Sequence, residues 1–154
     1  MNFDYSKTRP ERTQWRDQKL SERHRKWGFN CPAIDIDFLM IEFHVGKPIA
    51  IVDYKRYTGS IKNLNQKSIN AISTLANNSN IPFFVVFYWD DIWAFQITAI
   101  NNIAKNILQQ HKIDKNKILT EQQYVSFLYK LRNIKLTKEE EKLIKFLNNT
   151  LPQQ

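Results

Sequence analysis

Asp53 and Lys55 stand two residues apart at the end of an apolar run, Ile49-Ala-Ile-Val-Asp53-Tyr-Lys55, and another acid pair, Asp35 and Asp37, opens the apolar run before it. Residues two apart on a strand share a face, so Asp53 goes with Lys55 and Asp35 with Asp37. Ionised groups gathered among apolar residues are costly to bury unless they pair with one another or bind a cation. Asp37 and Asp53 are hard oxygen donors. Such a pair suits magnesium, which takes one or two carboxylates and completes its shell with water and phosphate. A divalent cation held there lowers the pKa of a bound water and neutralises the charge that develops during phosphodiester hydrolysis. Lys55 would orient the attacking water, hold negative charge and keep the carboxylates ionised. The competing reading is a plain edge-strand ion pair between Asp53 and Lys55, with Asp37 as a turn residue.

The elements that must position these groups can be read in turn. Residues 36–44 and 48–55 are rich in β-branched and aromatic side chains and flank Gly46-Lys47-Pro48, which predicts a β-hairpin. A turn centred on Gly46 and Lys47 puts Asp37 opposite position 56 and Asp53 opposite position 40. A shift of one or two residues in the loop brings Asp37 beside Asp53 and Lys55 at the open end. Glu42 falls off the Asp37 face by parity and is expected in solvent. Ahead of the hairpin, residues 11–27 contain no breaker until Gly28 and read as a helix. Arg12, Arg16, Lys19, Arg23 and Lys26 recur there in steps of four and three, one stripe along one face. A solvated face and a phosphate-binding face are equally good accounts of that stripe. Residues 28–32 form a loop, with a short strand expected at 29–31.

After the hairpin, the pattern predicts a helix over 65–76 with Ile69, Ile72 and Ala76 inward, and a central strand over 82–89. A turn at Asp90 and Asp91 leads to a strand over 92–100. The remainder reads as helical, from 101–110 onward. Thr120 with Gln123 and Thr137 with Glu140 each mark a capping box. We expect a single domain, with a core over about 11–100 and a helical extension over about 101–150 that serves as an accessory layer, a homodimer surface or both.

The segment Asp35-Ile-Asp37-Phe-Leu, a turn, then Ile49-Ala-Ile-Val-Asp53-Tyr-Lys55 resembles the PD-(D/E)XK nuclease superfamily, including its small phage-encoded members. The resemblance covers about residues 11–89. It implies an α/β restriction-endonuclease-like fold: a mixed β-sheet flanked by helices, in which a helix precedes a β-meander followed by a helix and another strand. It implies Asp53 and Lys55 as the (D/E)-x-K element and Asp37, or in second place Asp35, as the preceding acid. It also implies the backbone carbonyl of Tyr54 as a metal ligand, Glu22 on the first helix as a second-rank acid, Mg2+ or Mn2+ as cofactor, and DNA as partner. The chain departs from the pattern in having no Pro-Asp dipeptide and little sequence for a leading strand.

Composition bounds these expectations. The 154 residues carry 23 Lys and Arg against 15 Asp and Glu, a formal charge of +8, which favours polyanionic partners. No run is long and apolar enough to span a bilayer, and Cys31 is the sole cysteine, consistent with a cytoplasmic protein and no internal disulfide. Arg56 and Tyr57, just past the motif, are candidates for phosphate contacts. Trp89 and Trp93 read as core residues, and His24 and His44 as packing or surface residues. Three functions compete: a metal-dependent DNA endonuclease, a non-catalytic nucleic-acid-binding module on the same fold, and a protein-interaction module that uses the C-terminal helices.

Overall fold

The computed structural model describes residues 34–42, 44–57 and 64–150, together with Lys19, Arg23 and Lys26; at 148–150 it describes the backbone alone. The chain divides into a unit of residues 1–35 and a unit of residues 36–154. In the first unit, Lys19, Arg23 and Lys26 are helical and exposed, and Asp35 is exposed outside regular structure. Arg12, Arg16, Glu22, His24 and the strand expected at 29–31 lie outside the described residues.

The second unit is a mixed α/β structure. Its strands are β1 (Phe38–Glu42), β2 (Lys47–Arg56), β3 (Phe83–Trp89), β4 (Ala94–Ala99) and β5 (Ile118–Thr120), in that order across one sheet. β2 and β3 are parallel and every other neighbouring pair is antiparallel. The helices are α1 (Gln66–Asn78), α2 (Asn102–Gln110), α3 (Glu121–Leu131) and α4 (Lys138–Thr150).

Strand alternation sorts the core into two layers. Ile51, Phe83, Val85 and Phe87 meet Ile69, Ile72 and Ala76 of α1 on one face. Ala50, Val52, Phe84, Val86, Phe95 and Ile97 meet Ala104, Leu108, Tyr124 and Phe127 of α2 and α3 on the other. β3 is covered on both sides, which is why its sequence is an unbroken apolar run. The segment after residue 100 therefore builds one whole layer of this core.

Two details of the hairpin differ from expectation. The loop lies between Glu42 and Lys47, where Gly46 takes φ +63°, a left-handed conformation that suits glycine. The ladder also skips Ile49: Met40 pairs with Ala50, but Ile41 pairs with Pro48, a β-bulge. Glu42 does not simply face solvent. Arg132, the C-cap of α3, holds it with two hydrogen bonds of 2.9 Å, tying β1 to the helical layer.

The helix ends follow sequence chemistry closely. Asn65, Asn101 and Thr120 cap α1, α2 and α3, and both expected capping boxes form. Asn80, Lys112 and Asn133 take φ near +55° just beyond α1, α2 and α3. The next residue in each case, Ile81, Ile113 or Ile134, donates its backbone N–H back into the helix, to Ala76, Leu108 and Tyr129. These are Schellman closures with an isoleucine folded back on the helix. β5 lies in a stretch that reads as helical. It has only three residues, one of them buried, too few to show a period.

Candidate active site

β2 carries two chemistries on its two faces. Tyr54 points into the α2 and α3 layer, where its hydroxyl meets that of Tyr124 at 2.6 Å and its ring meets Phe38 edge-on at 5.1 Å. Burial raises the Tyr54 pKa, so the hydroxyl stays neutral. Because side chains alternate, anchoring Tyr54 on that face turns Asp53 and Lys55 to the α1 face. Both lie near the C-terminal end of β2, beside its parallel neighbour β3. Asp53 pairs with Val85 and Lys55 with Phe87, inside the parallel ladder. The crossover starts at the C-terminal end of β2, so α1 begins at the same end of the sheet.

The bulge and the short loop bring Asp37 into register. Phe38 pairs with Val52, and one step further Asp37 falls opposite Asp53. Asp37 accepts a hydrogen bond of 3.3 Å from the backbone N–H of Tyr54. The odd residues of β2 bond to β3, as the Ile51 and Tyr57 N–H groups show. The N–H and carbonyl of Tyr54 therefore both face the side where β1 has ended. Asp53 is 9% exposed and accepts a hydrogen bond from the Lys55 ammonium at 2.7 Å. Burial, and then contact with the Asp37 carboxyl, push the Asp53 pKa up from 3.8 to about 6, against the opposing pull of Lys55. Two carboxyls in contact share a proton or a cation more readily than they carry two charges.

The three central sequence candidates, Asp37, Asp53 and Lys55, thus converge, with the Tyr54 backbone between them. Asp35 belongs to the other unit. Lys19, Arg23 and Lys26 keep the helical, exposed character expected of the stripe. Arg56 is engaged by Asp90 at 2.7 Å, so a residue assigned to phosphate forms a clamp across the ends of β2 and β3. Sequence reasoning named Tyr57 for phosphate and Trp89 for the core but did not foresee their pairing on the α1 face, where the rings lie against each other with centroids 4.5 Å apart. Their signal was parity, since Tyr57 continues the row Asp53, Lys55.

Among the described residues, no group of three or more His, Cys, Asp or Glu is placed to hold a metal. Magnesium does not need one; two carboxylates with waters and phosphate suffice. Asp37 and Asp53, with the Tyr54 carbonyl on the same edge, make a hard-oxygen donor set of the right kind. No family model, curated protein or solved structure matches this chain.

Proposed function

We propose that this protein is a metal-dependent endonuclease that hydrolyses phosphodiester bonds in DNA at Asp37, Asp53 and Lys55. The observation that carries the reading is the convergence of two facing carboxyls and a lysine on the α1 face of β2, where Asp37 precedes β1 and meets Asp53. An edge-strand ion pair needs no second acid. The order of elements agrees with the later part of the arrangement that the PD-(D/E)XK resemblance implies: the hairpin is followed by a helix and another strand.

In this reading Asp37, Asp53 and the Tyr54 carbonyl would hold a magnesium or manganese ion, which would supply an acidified water and positive charge at the phosphate. Lys55, with its side chain about 40% exposed, is anchored by Asp53 yet open to substrate. Its ammonium positions the attacking water and meets the charge that builds on the phosphate oxygens. Tyr54 fixes the strand so that its neighbours stay on the reacting face.

The test is cleavage of supercoiled plasmid and of a single-stranded oligonucleotide by the purified chain with magnesium, manganese or EDTA, beside the Asp53→Ala variant. Cutting is expected only with metal and only with Asp53 present. Cutting that persists in Asp53→Ala would place the activity elsewhere. A wild-type protein inert on both substrates would remove the enzyme reading.

A further inference from the structure

Beyond Lys55, the row on the α1 face of β2 continues with Tyr57. Its backbone N–H bonds to the Tyr88 carbonyl at 2.8 Å, so the β2 and β3 ladder runs on past the last assigned strand pair. That places Tyr57 beside Trp89, on the face that carries Asp53 and Lys55. The two rings lie 4.5 Å apart and tilted by 32°. Tyr57 is 37% exposed and Trp89 half-buried. The ion pair of Arg56 with Asp90 joins the strand ends on the opposite parity. Tyr57 is two residues past Lys55, about 6.6 Å along a strand. A partly open aromatic pair one step from a cationic side chain matches a nucleotide, with phosphate at the lysine and base at the rings.

Resting on the nuclease reading above, we propose that Tyr57 and Trp89 form a stacking platform for a nucleobase next to the scissile phosphate, so that the preferred substrate is single-stranded DNA. In an intact duplex both faces of each base are covered by its neighbours, and a protein ring can stack only on a base that is already unpaired or has been pulled out. Stacking on a side chain is indifferent to base identity, because every base offers a π-face. The platform therefore selects strandedness and not sequence.

The experiment uses the full chain with calcium in place of magnesium and a single-stranded oligonucleotide containing 2-aminopurine. Wild type is expected to quench the probe and to bind the single strand at least several-fold more tightly than the matching duplex. Tyr57→Leu should bind about tenfold more weakly and lose the quench, the effect of deleting one stacked base contact. Tyr57→Phe should keep both. In the reverse direction, an unlabelled thymidine oligonucleotide should quench intrinsic tryptophan fluorescence, and Trp89→Phe should lose most of that signal while retaining affinity. Unchanged quench and affinity in Tyr57→Leu, or no quench in wild type, overturns the platform. Cleavage assays run beside these separate the two ideas. Metal-dependent cutting that is blind to strandedness and to Tyr57→Leu leaves a nuclease without a platform. Tyr57-dependent quenching by a protein that never cuts leaves a platform without a nuclease.

Discussion

Asp53 is the most perturbed carboxyl of the proposed site. Its pKa is raised, so the folded state favours the protonated acid more than the unfolded chain does. The sign follows from linkage. The stability this group contributes is complete below pH 3.8 and is lost as pH rises through about 6. In metal-free buffer, Asp53→Asn is therefore expected to match wild type near pH 4 and to be more stable at pH 7.5, by about 2–3 kcal/mol for a shift of this size. Urea melts at the two pH values measure the difference; an Asn variant that is less stable at pH 7.5 would contradict the assigned environment. If the proposed site takes magnesium, the ion competes with the proton at Asp53. It should raise the wild-type melting temperature at pH 7.5, with less effect at pH 5 and none in Asp53→Asn. A metal-induced shift that survives the substitution would point to another site.

At the scale of elements, the sheet is tied to its helices by a few polar residues. Asn101 is buried, caps α2, and bonds to the Phe83 N–H, the Ile81 carbonyl and the Asn77 side chain. It therefore joins α1, β3 and α2 at the start of β3. Asn101→Ala leaves several buried groups unpaired and should cost about 2–4 kcal/mol, seen as a lower urea midpoint with an unchanged slope. Lys112 offers the opposite case. It occupies the left-handed position after α2, which glycine takes without penalty. Lys112→Gly should raise stability by about 0.5–1 kcal/mol despite removing a side chain. A loss of stability there would show that the lysine side chain contributes more than its backbone costs.

Across the whole molecule, net charge and its placement govern partner binding more than they govern the fold. Lys19, Arg23 and Lys26 are exposed on helical backbone, so reversing two of them should leave the melting temperature nearly unchanged. If the stripe contacts DNA, Lys19→Glu with Arg23→Glu weakens oligonucleotide binding and flattens its salt dependence by about 0.7 log unit per lost phosphate contact on a single strand. Binding isotherms between low and moderate salt read both quantities. Equal slopes in variant and wild type would assign the stripe to solvent. Among the described residues, no helix is long and apolar enough to cross a membrane.

The legible part of this protein is the part encoded by local rules. Alternation placed Ile51 with Asp53 and Lys55 on one face. The 3.6-residue period placed Ile69, Ile72 and Ala76 inward, and Thr120 with Gln123 and Thr137 with Glu140 announced two helix starts. These signals need only neighbours in the chain, and the sequence by itself determined them. What it left open were contacts whose partners are far apart in sequence. The bulge at Ile49 decided that Asp37 meets Asp53, because a shift of one residue along a ladder reverses the facing of every side chain. Packing against Tyr124 fixed which way Tyr54 turns. Arg132 claimed Glu42, Asp90 claimed Arg56, and a three-residue β5 formed only because β4 was there to pair with it. Tertiary structure settled these points because each depends on distances between segments, and no local pattern carries a distance.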